Sequence, residues 1–190
     1  EIQGVLSQIN EDNLLEIATK LVDAKRIFVI GEGRSGFMGK SFAMRLMHLG
    51  AHVYSVGETI TPAISEGDVL IAVSGSGKTK SVVWTAEKAK ELNCHVIAVT
   101  TNIDSPLANV TADVLHIPAA TKYRVDGETQ SVQPLGSLFD QSVHIAFDSI
   151  QSAVSIVGNG KTGHLLSALQ PKRTVIIEIL NQQTGNSRCK

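Results

Sequence analysis

Short apolar runs alternate along this chain with segments of helical period, and two of those runs break off into turns built of glycine and serine. The runs are Arg26–Ile30 (RIFVI), Ala51–Val56, Val69–Val73 (VLIAV), His95–Val99 (HVIAV) and Val114–Ile117. A run that is apolar at successive positions has no solvent face, as expected of a strand covered on both sides of a parallel sheet. Between the runs, Glu11–Asp23 places Leu14, Leu15, Ala18, Leu21 and Val22 on one helical stripe. Phe37–Leu49, Val82–Leu92 and Ser137–Val154 repeat that period. The alternation predicts an α/β protein, a five-stranded doubly wound parallel sheet with helices on both faces. Ligands in such sheets sit beyond the carboxyl ends of the strands, where the strand order reverses.

Both glycine turns leave those ends. The first, Gly31-Glu32-Gly33-Arg34-Ser35-Gly36, stands between a strand and a helix and fits the dinucleotide pattern G-x-G-x-x-G, with Glu58 downstream in the place of a ribose ligand. Glycines at so tight a turn also serve packing alone. The second, Ser74-Gly75-Ser76-Gly77-Lys78-Thr79, suggests a nucleotide P-loop through Gly77-Lys78-Thr79. That motif requires a further glycine at position 72, which is Ala72. What remains is three hydroxyls and two glycines at a helix start, where free N–H groups and the helix dipole favour an anion. The competing reading is that Ser76 or Thr79 only caps the helix. Taken together, the two loops suit a sugar monophosphate better than a dinucleotide.

Composition narrows the choice. Lys plus Arg number 17 against 18 for Asp plus Glu, a net charge of −1, so binding of nucleic acid by general electrostatics is not expected. No run approaches the roughly 20 apolar residues that cross a bilayer, and no basic-then-apolar leader opens the chain. Cys94 and Cys189 form no paired spacing, so neither a disulfide scaffold nor a cysteine metal site is expected, and the cytoplasm is the expected compartment. Residues 1–157 read as one domain. Residues 158–190 read as an atypical tail with a break at 158–163, a strand-like run at 174–180 and no assigned role.

Moving a carbonyl along a sugar requires a base beside the carbonyl and a means of stabilising the enediolate. It requires no metal or cofactor. Asp140, at the start of the closing helix, is the candidate base, or else it complements that helix's positive end. Arg45 and His48, three residues apart on the second helix, are candidates for anion holder and proton shuttle, or else structural. Glu58 follows the second strand, at the ligand end of the sheet. Arg34 is read as a phosphate contact or a bridge between subunits. Trp84 and Cys94 are read as core.

Several stretches together resemble a known family. They are Gly33-Arg34-Ser35-Gly36, Ser41–His48, Val56-Gly57-Glu58 with Thr61-Pro62, Ser74–Gly77 and Gln133–Phe139, spanning about residues 25–153. The chain resembles the sugar isomerase (SIS) domain family and, within it, the 6-phospho-3-hexuloisomerases. The resemblance implies a flavodoxin-like SIS fold, a cofactor-free enzyme that interconverts 3-hexulose 6-phosphate and fructose 6-phosphate, and a homotetramer with sites at subunit interfaces. It implies that Ser35 and residues 74–79, that is Ser74, Gly75, Ser76, Gly77, Lys78 and Thr79, bind substrate, and that Asp140 holds the position of the proton acceptor. Asp140 stands where the family has Glu, Lys78 where Glu is common, and the tail lacks the family's ending. Two other readings stay open here: an SIS isomerase of another sugar phosphate, and a non-catalytic sugar-phosphate sensor.

Overall fold

The five apolar runs form β1 (Ile27–Gly31), β2 (Val53–Ser55), β3 (Val69–Val73), β4 (His95–Thr100) and β5 (Asp113–His116). They pair in parallel as one sheet of order β2-β1-β3-β4-β5. The computed structural model describes residues 1–120 and 131–160, with the side chains of 159 and 160 left aside. Around the sheet lie α1 (Ile2–Leu6), α2 (Glu11–Asp23), α3 (Gly33–His48), α4 (Lys80–Glu91), α5 (Pro106–Val110) and α6 (Ser137–Gly160). The expected doubly wound α/β architecture is the observed one.

Successive strand residues face opposite sides, so each strand feeds two cores. Ile27 and Val29, with Val69, Ile71, Val73, Ile97 and Val99, pack beneath α1, α2, α3 and α6. Phe28, Leu70, Ala72, Val96 and Ala98 pack against Val82, Ala86 and Ala89 of α4 and Leu107 of α5. Each Val, Leu, Ile or Phe side chain so taken from water contributes roughly 1.5–3 kcal/mol, which is why the central strands carry no polar position between their ends.

Most boundaries lie within a few residues of expectation, and the departures have local causes. β2 is shorter than Ala51–Val56 because it is an edge strand that pairs with β1 through three residues. The first-turn glycines and polar residues of α3 and α4 belong to the helices, which start four and two residues earlier than their apolar stripes. α6 continues six residues past Val154. α1 and α5 have five residues each, too few to show a period. α5 is set instead by Ser105, whose Oγ accepts from Ala108 N at 3.3 Å, with Pro106 in the first turn. Trp84 is not core: it is 60% exposed, because Val82, Ala86 and Ala89 hold the face of α4 that meets the sheet. Cys94 is buried as expected. Among the described residues, no helix is long and apolar enough to cross a membrane. The strand-like run 174–180 and the tail beyond residue 160 lie outside the described residues.

β1 and β3 are neighbours, yet the chain leaves β1 for β2 on one side and β3 for β4 on the other. Their following loops therefore diverge at the carboxyl edge of the sheet and open a crevice there.

Candidate functional site

The crevice between the two glycine loops is a cavity of about 560 Å³, a size that holds a small metabolite. Its walls are Glu32–Ser35 after β1, Ser74–Ser76 and Thr79 after β3, and Leu135, Gly136, Phe139 and Asp140 at the start of α6.

Glycine is required in the first loop by close approach and by conformation. A Cβ on Gly36 would lie 2.5 Å from the Gly31 carbonyl oxygen, so strand and helix could not meet this closely with any side chain there. Gly33 opens α3 at φ +56°. The packing reading of these glycines thus holds, and it leaves Arg34 and Ser35 in the first turn at the cavity wall. Glu32 precedes the helix in extended conformation without capping it. Its carboxylate instead accepts from Ser81 Oγ at 2.7 Å, which ties the first loop to the start of α4.

The second loop is held rigidly from below. Ser74 N–H donates to Val99 O, and the Gly75 carbonyl accepts from Thr101 N, Thr100 Oγ1 and Thr101 Oγ1 at 2.9–3.0 Å. Gly77 sits at φ +61° against Ser105, whose Oγ would lie 2.1 Å from an added Cβ. Ser74 Oγ and Thr79 Oγ1 share a hydrogen bond of 2.9 Å. Thr79 is the residue before α4, and its side chain does not cap the helix. Among the described residues, the first N–H groups of α4 are left without a side-chain acceptor; they follow directly on Thr79, which with Ser76 lines the cavity. A phosphate suits that combination of donors and helix dipole.

The third wall carries the base candidate. Leu135 (φ 50°) and Gly136 (φ 77°) turn the chain into α6, whose first turn brings Asp140 to the cavity. Its side chain is 8% exposed, and Oδ2 lies 3.0 Å from Arg34 Nε. Ser35 Oγ donates to Oδ1 at 3.3 Å. Burial pushes this carboxyl above its ordinary pKa; the Arg34 charge and the Ser35 hydroxyl oppose the shift without cancelling it. The resulting group is a desolvated carboxylate with one cation, open to a ligand cavity.

Of the residues expected at the site, Ser35, Ser74, Gly75, Ser76, Thr79 and Asp140 meet in this cavity. Gly77 and Lys78 do not line it: Gly77 is packed on Ser105, and Lys78 is exposed at the outside of the loop. Arg45 and His48 are exposed in the last turn of α3, about 15 and 20 Å along that helix from Ser35 at 1.5 Å per residue. Neither lines the cavity that Asp140 faces. Glu58 lies in an adjoining hollow with Gly31, Gly36 and Lys40, on the far side of Glu32. Its Oε1 is 2.5 Å from Lys40 Nζ, and that hydrogen bond and charge hold its carboxyl below its ordinary value.

Sequence reasoning did not single out Glu32 or the pairing of Arg34 with Asp140. Nor did it find Ser137, whose Oγ accepts from Arg34 Nη1 at 2.8 Å. The pairs join residues more than a hundred apart, which no local spacing reveals. Among the described residues, no group of three His, Cys, Asp or Glu is placed to hold a metal.

The chain is similar to known proteins. A 3-hexulose-6-phosphate isomerase of Bacillus subtilis is 39% identical over 150 residues, covering 79% of this chain and 81% of that protein. One of Mycobacterium gastri is 42% identical over 150 residues, covering 79% and 75%. A crystal structure from Methanococcus jannaschii, from which a 3-hexulose-6-phosphate isomerase function was inferred, superimposes with a TM-score of 0.69 at 33% identity, over 80% of this chain and 82% of that one. Residues 20–145 match the model of the SIS domain, so the chain belongs to the SIS domain family.

Proposed function

We propose that this protein is a 3-hexulose-6-phosphate isomerase, interconverting 3-hexulose 6-phosphate and fructose 6-phosphate through an enediolate. The observation that carries the reading is a buried carboxylate, Asp140, facing a phosphate cradle across one small cavity. The relatives named for that activity align with about four fifths of the chain.

In this reading the phosphate rests on the N–H groups at the start of α4 and the hydroxyls of Ser76 and Thr79, which fixes the sugar relative to Asp140. Asp140 takes the proton from C2, beside the C3 carbonyl. The C–H electrons become the C2–C3 double bond, and the carbonyl π electrons pass to the C3 oxygen. Asp140 returns the proton to C3 while the C2 hydroxyl gives up its proton to the C3 oxygen, which leaves a carbonyl at C2. Reactant and product have the same oxidation level, so the chemistry calls for no redox partner. The step belongs to formaldehyde fixation through ribulose monophosphate, a cytoplasmic route.

The site is read as shared between subunits of a homotetramer. Arg45 and His48, remote from the cavity of their own chain, then reach a site from a neighbouring copy, and Glu58 and Lys78 approach substrate from the rim. The outer face of α3 suits such a contact: Phe37 is 66% exposed, and Met44 and Met47 about half. Residues 1–157 would make up the isomerase unit, with 158–190 outside it.

The test is an assay of the purified protein on 3-hexulose 6-phosphate, with fructose 6-phosphate followed by a coupled readout, beside Asp140→Asn. Turnover in the wild type and its loss in the variant are expected. Binding of the sugar phosphate without turnover in the wild type would refute the enzyme in favour of a sensor. Turnover of a different sugar phosphate alone would refute the substrate.

A further inference from the structure

Among the described residues, the charged ones lining the cavity are Glu32, Arg34 and Asp140, and Arg34 is the cation of the three. Arg34 is placed unlike a simple salt-bridge partner. Its Nε lies 3.0 Å from Asp140 Oδ2 and its Nη1 donates to Ser137 Oγ at 2.8 Å, so two nitrogens of the guanidinium are fixed to the start of α6. The carboxylate beneath it is almost wholly buried, whereas half of the Arg34 side chain stays open to solvent and to the cavity. Among the described residues, its Nη2 makes no hydrogen bond. The guanidinium thus lies beside the base and lines the same cavity, the space a substrate would fill.

Proton transfer moves one unit of negative charge from base to substrate. Before the transfer the charge is on Asp140; afterwards Asp140 is a neutral acid and the charge is on the enediolate oxygen. In a desolvated pocket the cost of this displacement depends on whether a cation already lies close to both positions. We propose that Arg34 is a catalytic residue of the isomerisation, the fixed positive charge that Asp140 neutralises before proton transfer and the enediolate oxygen neutralises after it. The proposal rests on the isomerase reading above. The bonds broken and formed are those already given, with Arg34 protonated throughout and the total charge of the site constant. The other role open to an arginine here, holding the phosphate, predicts a different kinetic signature.

The groups facing Asp140 are Arg34 and Ser35 from α3, Ser137 on its own helix and, across the cavity, Glu32. His144, one turn further along α6, is half exposed and turned to Asp148. Of these groups Asp140 is the carboxylate in contact with Arg34, so removing Arg34 is expected to move the titration of turnover through Asp140.

The experiment compares wild type, Asp140→Asn, Arg34→Ala and Arg34→Lys on 3-hexulose 6-phosphate across a pH series. Turnover in the wild type that fails in Asp140→Asn establishes the isomerase reading independently of Arg34. Arg34→Ala is then expected to lose about 10²–10³-fold in kcat, as for removal of one fixed stabiliser of a developing oxyanion. KM should change by less than about threefold, since binding common to substrate and transition state is untouched. The acid limb of its kcat profile should move to higher pH, and added guanidinium ion should restore part of the rate. Arg34→Lys, which keeps the charge and any packing of the stem, should fall between and hold the acid limb near wild type. An Arg34→Ala enzyme with wild-type kcat and raised KM would make Arg34 a phosphate ligand and overturn the proposal. Loss of kcat with an unmoved acid limb and no rescue by guanidinium would overturn it as well.

Discussion

Gly75 lies directly against the ring of Phe139: a Cβ on the glycine would stand 3.2 Å from Phe139 Cδ1. The contact seats the second loop on the first turn of α6, one residue before Asp140, and so sets the spacing between the proposed phosphate cradle and the proposed base. Neither partner can yield freely. Phe139 is 3% exposed, and the Gly75 carbonyl is held by Thr100 and Thr101. Gly75→Ala must move one wall of the cavity by a few tenths of an ångström. We expect about 1–3 kcal/mol of lost stability from overpacking. We also expect a fall in kcat of about tenfold or more, because catalysis is steep in such displacements. Thermal melts and steady-state kinetics check both; unchanged kcat would show that the loop and helix do not set the geometry of the reaction.

Ser76 tests the cradle without disturbing the base. It lines the cavity, and its Oγ accepts only a long bond of 3.3 Å from Lys78 N, so the hydroxyl is available to a ligand. Ser76→Ala removes one donor to an anion, worth about 1.5 kcal/mol or roughly a tenfold rise in Kd for fructose 6-phosphate. Calorimetric titration measures it, and an unaltered Kd would place the phosphate elsewhere. Thr79 is a poorer choice for this test because its hydroxyl is already engaged with Ser74.

What could be read from the sequence was what is local. VLIAV and HVIAV have no polar position because β3 and β4 are covered on both faces, and they were legible to within a residue. The second loop was legible because hydroxyls and glycines at a strand-to-helix turn have few uses. Arg45 and His48 were read together because three residues on a helix share a side, which is true; spacing does not tell which end of the helix meets the cavity. Lys78 was grouped with its neighbours, but the left-handed turn at Gly77 directs the chain around Ser105 and leaves Lys78 outside. Trp84 was read as core on residue type, against the stripe of Val82, Ala86 and Ala89 that decides which face of α4 is buried. The Arg34–Asp140 pair depends on the whole sheet to bring α3 and α6 together.

The exposed apolar side chains of α3 bear on assembly. Met44 is 49% exposed on the same outward surface as Phe37. Met44→Glu places a charge where the proposed subunit contact would bury it, a costly change without a partner. A shift from tetramer toward smaller species in sedimentation velocity is expected, with turnover falling alongside. A variant that sediments as the wild type would remove α3 from the interface.

Stability at low pH should depend on a pair at the opposite end of the sheet. Asp68 is fully buried; its carboxylate is clamped by Arg26, with Nε at 2.9 Å and Nη2 at 2.6 Å, and accepts from Ser65 N at 2.7 Å. Burial alone would raise its pKa, but the Arg26 and Ser65 hydrogen bonds outweigh it and hold the group below its ordinary value. A carboxyl lowered on folding contributes stability above its unfolded pKa of about 4 and loses it as pH falls through the folded value. Asp68→Asn should therefore cost about 1.5–3 kcal/mol at pH 7, the range for hydrogen bonds to a charged group. The difference in Tm from wild type should shrink as pH drops below 4. A gap independent of pH would mean that shape, not charge, holds this corner.

Asp140 carries the opposite sign, as expected if it is kept for the proposed chemistry and not for stability. Burial raises its pKa despite Arg34, so folding favours the protonated form. Such a group contributes stability below its unfolded pKa and becomes a net cost as pH rises through the folded value, hence at neutral pH. Asp140→Asn removes the buried charge and keeps both the volume and an acceptor for the Ser35 hydroxyl. The variant should melt at or above the wild-type Tm at pH 7, and the advantage should vanish toward pH 4, while turnover is lost. Proteins retain such costly groups where function needs them. A variant that loses activity together with several degrees of Tm at pH 7 would instead make the Arg34–Asp140 pair a structural fastening of α3 to α6, and the base would have to be sought among the other cavity residues, with Glu32 the first to test.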